Sequence, residues 1–149
     1  MFQYDEKVLK DQLLELIRLA ATDLPKDVVE SIQAAQQNED EGSAARSVFG
    51  MILKNIELAR AEATPICQDT GTNIYLVYIP EGVGMRKLTA LIHEATSEAV
   101  DKSYLRPNAV DSITGKNSGN NIGEGQPFIH FEEWDNDYIE FKLMLKGGG

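Results

Sequence analysis

The chain has 149 residues, of which 42% are hydrophobic and 26% are charged, and this composition is ordinary for one globular domain. Its net charge of −10 at pH 7 argues against nucleic acid as a partner, because binding to phosphates requires clustered lysines and arginines. Neither a run of roughly 18 apolar residues nor a signal peptide occurs, so we expect a cytoplasmic protein with no membrane partner.

Residues 1–63 carry apolar side chains at helical spacing and predict three helices. The first spans residues 5–21, and the second follows Pro25, which suits a first helical turn. Ser43 is placed to cap the third helix, which ends ahead of Pro65 because proline lacks an N–H and disfavours helix in the residue before it. The buried stripe expected for this third helix consists of Ala45, Val48, Ile52, Ile56 and Ala59.

From residue 73 onward the pattern is typical of a sheet with a covering helix. The β-branched and aromatic run 73–80 predicts a largely buried strand, and apolar residues between 88 and 104 predict a fourth helix packed on it. Residues 105–126 are rich in Gly, Asn and Ser and predict a long irregular loop, which in a compact domain is usually functional or disordered. Alternation over 129–145 predicts a hairpin with one buried face. The expected fold is α+β, with N-terminal helices followed by a small, largely antiparallel sheet.

Cys67 is the only cysteine, so it cannot form an internal disulfide or complete a zinc site of about four Cys or His ligands. It lies in the stretch TPICQDTGT, between the third helix and the first strand, where a thiolate would be both a nucleophile and a soft metal ligand. The alternative is a small buried apolar residue, which spacing alone favours because no nearby histidine is an obvious base. Asp69 and Thr70 are equally open to a turn-forming role, with Gly71 at positive φ.

Two further stretches are candidates for ligand binding. Arg106, in YLRPN, has the fork geometry to clamp a carboxylate through two parallel hydrogen bonds, although pairing with a surface acid is the commoner outcome for an arginine. The loop GKNSGNNIGEG is rich in glycine but lacks the order GxxxxGK followed by Ser or Thr. It also leads into a strand rather than a helix N-terminus, so we reject nucleotide binding.

Four stretches, TPICQDTGT, LRPN, GKNSGNN and the closing KGGG, follow one another along the chain. In order and approximate separation they resemble the class I fumarases and the alpha subunits of L-tartrate dehydratase, a family of iron–sulfur hydro-lyases. The resemblance implies that residues 1–149 form the N-terminal part of a catalytic alpha domain, with a helical lead-in over 1–63 and a β-containing remainder over 64–149. Three glycines after a strong strand are also typical of a turn into another element, so we expect a fragment of a larger domain. The loop departs from the family pattern at Asn120, which replaces an acid, and in the longer link IGEGQP.

The resemblance also implies a 4Fe–4S cluster held by three cysteines, with one iron open to substrate. Cys67 matches the first of these cysteines, and the other two are expected outside this chain. Gln68 and Asp69 match residues that contact substrate, with Asp69 as the candidate proton-transfer group. Arg106 matches an arginine that binds a substrate carboxylate, and Gly149 matches a backbone contact to substrate.

The activity implied is the reversible hydration of a small dicarboxylate, fumarate, to malate. One alternative is the alpha subunit of an L-tartrate dehydratase, and another is a non-catalytic assembly module that docks onto the missing half. A thiol redox protein is disfavoured because no second cysteine is present to resolve an oxidised intermediate. The partners implied are the remainder of the alpha domain, a beta subunit or C-terminal domain, and further copies of the same protein in a homo-oligomer.

Overall fold

Helices make up the N-terminal part of the computed structural model, which describes residues 3–147. They are α1 (Glu6–Thr22), α2 (Lys26–Asn38) and α3 (Ala44–Glu62). The carboxylate of Asp5 caps α1 by accepting two backbone N–H groups. Ser43 caps α3, as predicted, by accepting the backbone N–H of Arg46 at 3.1 Å. The three helices expected from apolar spacing are therefore confirmed, and none in the described part of the chain is long and apolar enough to cross a membrane.

The other elements form a three-stranded sheet and a fourth helix. They are β1 (Thr72–Pro80), α4 (Met85–Asp101), β2 (Phe128–Trp134) and β3 (Glu140–Lys146). The strand β1 lies in the centre, parallel to β2 and antiparallel to β3. The α+β class is confirmed, and the sheet is mixed, with one parallel and one antiparallel pair.

The hairpin predicted over residues 129–145 is wrong, because β2 and β3 lie on opposite sides of β1. The physical reason lies in β1, whose run NIYLVYI places apolar side chains on both faces of the sheet and therefore suits a central position. The strands β2 and β3 carry more polar residues and occupy the two edges. The order of strand, helix and strand from β1 to β2 is also the usual connection between parallel strands.

The core lies between one face of the sheet and the helices α1 and α4. Its largest fully buried apolar side chains are Leu13, Ile17, Tyr75, Val77, Ile79, Leu88, Ile92 and Leu105. The Tyr75 hydroxyl lies 3.1 Å from the hydroxyl of Thr96, which joins β1 to α4, and burial raises the pKa of Tyr75. The prediction that the fourth helix covers the sheet is confirmed.

The helices α2 and α3 pack mainly on each other. None of the described residues of α2 is buried, and in α3 the buried residues are Ile56 and Ala59. Val48 and Ile52, which the sequence predicts in the buried stripe, are 48% and 39% exposed. The predicted stripe is therefore buried in its C-terminal half and exposed in its N-terminal half.

Candidate active site

Cys67 lies in a segment that is anchored to two helices. The Ile66 N–H donates to the carbonyl of Ala21 at the end of α1 at 3.0 Å. The Ile66 carbonyl accepts from the side-chain amide of Asn55, on α3, at 2.8 Å. These bonds fix the backbone immediately before Cys67, whose side chain is exposed and whose thiol donates to the carbonyl of Asp69 at 3.0 Å. The alternative of a buried structural cysteine is excluded.

Residues 67–71 form a turn, which we call the Cys67 turn. The carboxylate of Asp69 accepts a hydrogen bond within it, and the end of β3 packs against it. Asp69 Oδ1 accepts the backbone N–H of Gly71 at 2.9 Å, and both Gln68 and Asp69 are exposed. Gly71 has φ +73°, and a Cβ atom there would lie 2.3 Å from the carbonyl oxygen of Lys146. A Cβ atom on Gly147 would lie 3.4 Å from Asp69 Oδ2. The stretch TPICQDTGT therefore meets Lys146 and Gly147, the described part of KGGG, at this turn.

Thr70 joins the same turn to the stretch LRPN. Its side chain is only 5% exposed, and its hydroxyl accepts the backbone N–H of Arg106 at 3.1 Å. The hydroxyl also lies 3.0 Å from the side-chain amide of Asn108. With its amide oxygen toward the turn, Asn108 accepts the N–H groups of Thr70 and Gly71 at 3.2 Å each, so we assign that orientation. The backbone of Arg106 is thus held beside Asp69, while its side chain is exposed.

Asn121, from the glycine-rich loop, supports LRPN from the other direction. Its side chain is 5% exposed, and its amide oxygen accepts the backbone N–H groups of Asn108 at 2.6 Å and Ala109 at 3.1 Å. Its amide nitrogen donates to the carbonyl of Arg106 at 2.8 Å. The neighbouring Asn120 accepts the N–H of Ile122 at 3.0 Å in a local turn. The loop thus joins the third stretch, GKNSGNN, to the carbonyl of Arg106 and to the backbone that follows it.

The sequence-predicted residues Cys67, Gln68 and Asp69 share one turn, and Arg106 is joined to that turn through Thr70. Gly149 lies outside the described residues, so its proposed contact stays a prediction. Sequence reasoning missed the buried Thr70 and Asn121 and the partly buried Asn108 as residues that organise the site. The signal was present, because all three lie inside the stretches that carry the resemblance.

The site residues lie on an open surface. A cavity of about 590 Å³ is lined by loop residues between 109 and 126, and neither Cys67, Asp69 nor Arg106 contributes to its lining. We therefore place the candidate site at the Cys67 turn and the neighbouring Arg106, and not in this cavity. An open surface is expected where a second polypeptide segment completes the pocket.

Cys67 fits one corner of an iron–sulfur cluster. Its side chain is exposed, and the thiol hydrogen bond to the Asp69 carbonyl would be given up on deprotonation. Within residues 3–147, no three His, Cys, Asp or Glu side chains come close enough together to hold a metal ion. A 4Fe–4S cluster takes about four cysteine ligands, or three when another group completes the last iron. The further ligands would have to come from polypeptide outside the described residues.

The chain is similar in sequence, over most of its length, to proteins named as fumarate hydratase and L-tartrate dehydratase subunit alpha. The chain is 42% identical over 141 residues to the "Putative fumarate hydratase class I" of Geobacillus stearothermophilus, which covers 95% of this chain and 27% of that protein. It is 31% identical over 146 residues to the "Putative L(+)-tartrate dehydratase subunit alpha" of Methanocaldococcus jannaschii, covering 95% of this chain and 51% of that protein. It is 29% identical over 133 residues to the L(+)-tartrate dehydratase subunit alpha of Escherichia coli K12, covering 88% of this chain and 44% of that protein. The chain thus spans about half or less of the length of these relatives.

The family model described as fumarate hydratase (Fumerase) matches residues 10–149, which include the Cys67 turn, LRPN, the glycine-rich loop and KGGG. This match extends over nearly the whole chain, and so the chain belongs to the fumarate hydratase (Fumerase) family.

Proposed function

We propose that this chain is the N-terminal part of an iron–sulfur hydro-lyase that hydrates fumarate to malate reversibly. The observation that carries the proposal is the linkage of four separate stretches: the exposed Cys67 turn contacts the end of β3 at Gly71 and LRPN through Thr70, and LRPN is held in turn by Asn121 of the glycine-rich loop. The similarity to a protein named as a class I fumarate hydratase supports fumarate as the substrate. Because the chain spans 27% of that relative, the activity is proposed for the assembled protein and not for the chain by itself.

In this proposal Cys67 holds one iron corner of a 4Fe–4S cluster. When bound, the cluster supplies an open iron as a Lewis acid for a substrate carboxylate and hydroxyl. The contribution of the chain is to hold the sulfur in place, since the backbone before Cys67 is tied to both α1 and α3 by Ile66. The exposure of the thiol leaves room for the cluster on its outer side.

Asp69 is the proposed proton-transfer group. Hydration of a double bond requires a proton to be delivered to one carbon, and a carboxyl group is a suitable general acid and base. The Gly71 N–H fixes Oδ1 of Asp69 at 2.9 Å, which limits the rotation of the carboxyl group beside Cys67. Gln68, exposed in the same turn, is proposed to contact the substrate through its side-chain amide.

Arg106 is proposed to bind a carboxylate of the substrate. A guanidinium forms two parallel hydrogen bonds with a carboxylate and so sets its orientation, and misplacement by about 1 Å can lower a rate by about a hundredfold. Thr70 and Asn121 hold both the N–H and the carbonyl of Arg106, which fixes the base of this long side chain. Gly149 is proposed to add a backbone contact to the substrate.

An L-tartrate dehydratase alpha subunit is the second candidate, because two relatives with that name match 95% and 88% of the chain. In either case we propose as partners the remainder of the alpha domain and a beta subunit or C-terminal domain, within a homo-oligomer in the cytoplasm. The alternative that the experiment must distinguish is a non-catalytic assembly module. It is considered because this chain supplies one cysteine, whereas the proposed cluster needs several.

A single-chain chimera tests the function directly. Residues 1–149 replace the matched stretch of the Geobacillus relative, and the purified chimera is reconstituted anaerobically with iron and sulfide. We expect the absorbance of an iron–sulfur cluster and hydration of fumarate, with L-tartrate assayed in parallel. Cys67→Ala should abolish the cluster absorbance, whereas Asp69→Asn should retain it and lower kcat by about a hundredfold or more.

Asp137→Asn, an exposed carboxylate in the turn after β2, is the matched control and should leave kcat unchanged. Arg106→Lys should raise KM for fumarate, because lysine cannot form the paired hydrogen bonds. Full turnover in the Asp69→Asn chimera would exclude Asp69 as the proton carrier. A folded chimera with neither cluster nor turnover would favour the assembly module.

A further inference from the structure

An apolar groove runs along the N-terminal half of α3 and ends at the candidate site. We call it the α3 groove, and its walls include Leu24, Val48, Met51, Ile52, Ile66 and Cys67. Its volume is about 450 Å³, and its lining contains no charged side chain. The groove is continuous with the site because Cys67 forms part of its wall.

The α3 groove exposes apolar side chains that lie together on one face of the helix. Met51 is 64% exposed and Val48 is 48% exposed, although they lie one helical turn apart on one face of α3. Single exposed apolar residues are normal on protein surfaces, whereas a contiguous apolar groove marks a contact surface. The stripe that the sequence predicts to be buried includes Val48 and Ile52 of this groove, and within the described part of the chain both are exposed.

The relatives are longer than this chain, and their additional residues are candidates to occupy the α3 groove. The match to the Methanocaldococcus alpha subunit includes 95% of this chain but only 51% of that protein. About half of that relative therefore lies outside the match. The cluster proposed at Cys67 requires further ligands, and those ligands have to come within bonding distance of the same iron–sulfur core. A segment seated in the α3 groove would run directly up to Cys67 and would therefore be placed to supply them.

We propose that the α3 groove is the docking surface for the other part of the family's catalytic domain, the part that supplies the remaining cluster ligands. This inference rests on the proposed function and specifies where its partner binds. The competing surface is the outer face of the sheet, where Phe128 is 47% exposed and Met144 is 57% exposed. Neither residue lies in the wall that contains Cys67.

The test uses association of two polypeptides and not catalysis. The chain is co-expressed with a second polypeptide, the residues of the Geobacillus relative that follow the matched stretch, and the complex is purified through a tag on this chain. The dissociation constant is measured by light scattering on dilution of the complex. Met51→Glu is compared with Met144→Glu, because the two methionines have similar exposure and lie on the two competing surfaces.

We expect Met51→Glu to weaken association by about tenfold or more, because it places an unpaired charge in an apolar contact. Met51→Gln should weaken it in the same direction, and both variants should unfold thermally at the same temperature as the native chain, since Met51 is exposed. Unchanged association of the Met51→Glu chain would overturn the proposal, as would the absence of any complex with the co-expressed polypeptide. Self-association of the chain alone that Met51→Glu abolishes would make a second copy the occupant and would overturn it as well.

The two proposals fail in different experiments. Cys67→Ala should remove the cluster absorbance of the complex, whereas Met51→Glu should weaken association even when iron is absent. An active single-chain chimera combined with unaltered binding by Met51→Glu would overturn the docking surface alone. A complex that forms and is sensitive to Met51→Glu, together with an inactive chimera, would overturn the hydro-lyase function and retain the docking surface.

Discussion

Gly71 adopts φ +73° where the Cys67 turn meets the end of β3. A residue with a Cβ atom would meet the Lys146 carbonyl oxygen at 2.3 Å, a backbone atom that cannot rotate away. Both the left-handed conformation and the close approach therefore require glycine at this position. This single residue couples two of the four stretches that carry the family resemblance.

We expect Gly71→Ala to destabilise the chain by more than the roughly 1–2 kcal/mol of the left-handed conformation alone and to displace Lys146 and Gly147 from the turn, because backbone strain and a steric clash act together. The measurement is urea unfolding of both proteins. Gly82→Ala is the matched control, since Gly82 has φ +80° and a Cβ atom there would meet nothing within 4 Å. The control carries only the conformational cost of about 1–2 kcal/mol, so equal losses in the two variants would contradict a clash at Gly71.

Thr70 and Asn121 are buried polar groups that support the backbone of the candidate site. Each is 5% exposed, and together they satisfy the backbone N–H and carbonyl of Arg106. A buried polar side chain with its hydrogen bonds made is rigid, whereas one left unpaired is costly, so these side chains are held in single positions. The backbone of Arg106 is thus fixed by hydrogen bonds, whereas its side chain is exposed.

The turn after α1 and the last turn of α3 are joined by an ion pair between Asp23 and Arg60. Asp23 Oδ1 accepts from two guanidinium nitrogens of Arg60, at 2.6 Å and 2.9 Å. This contact flanks the Ile66 segment that carries Cys67, which is itself bonded to α1. The hydrogen bond from Arg60 holds the pKa of Asp23 below its ordinary value.

The lowered pKa of Asp23 predicts a pH-dependent stability. The folded state holds the carboxylate ionised more firmly than the unfolded chain does, so the stabilisation is present above the ordinary Asp pKa of about 3.9. It is lost as the pH falls through the lower folded value. We expect Asp23→Asn to lower the thermal midpoint at pH 7 and to approach the native chain as the pH falls below about 4, with convergence complete only below the lowered pKa of Asp23.

Glu30→Gln is the control for this experiment, because its ion pair with Lys26 is more exposed, at 59% and 89% of the two side chains. Such exposed pairs contribute little, so its midpoint should match that of the native chain at every pH. A difference between Asp23→Asn and the native chain that persists unchanged into acid would show that the ion pair is not its source.

For the chain taken as a whole, one cysteine sets the limit on cofactor binding. We predict that the isolated chain, reconstituted anaerobically with iron and sulfide, stays colourless and inactive, because one thiolate does not retain a cluster that needs about three or more cysteines. Absorbance spectra and iron content measure the outcome, and light scattering establishes that the sample is monomeric. The single-chain chimera, loaded in the same conditions, is the positive control. An absorbing, active monomer of the isolated chain would contradict the need for a second segment.

Local features of the structure were accessible from the sequence. Apolar spacing predicted the helices, Ser43 was identified as the cap of α3, and the four stretches around Cys67 indicated the family. Helix periodicity, capping and turn chemistry depend on residues within a few positions of one another, and so they can be read along the chain.

The arrangement of these features was decided only by the tertiary structure. The sequence favoured a hairpin of β2 and β3, but β1 separates them because its two apolar faces suit the centre of the sheet. The roles of Thr70 and Asn121 depend on contacts with Arg106 across 36 and 15 positions in sequence. The burial of the apolar stripe on α3 likewise depends on which other elements pack against that helix. The sequence by itself determined the elements and the family, whereas strand order, the support of Arg106 and the uncovered groove were set by long-range packing, which spacing within one segment does not encode.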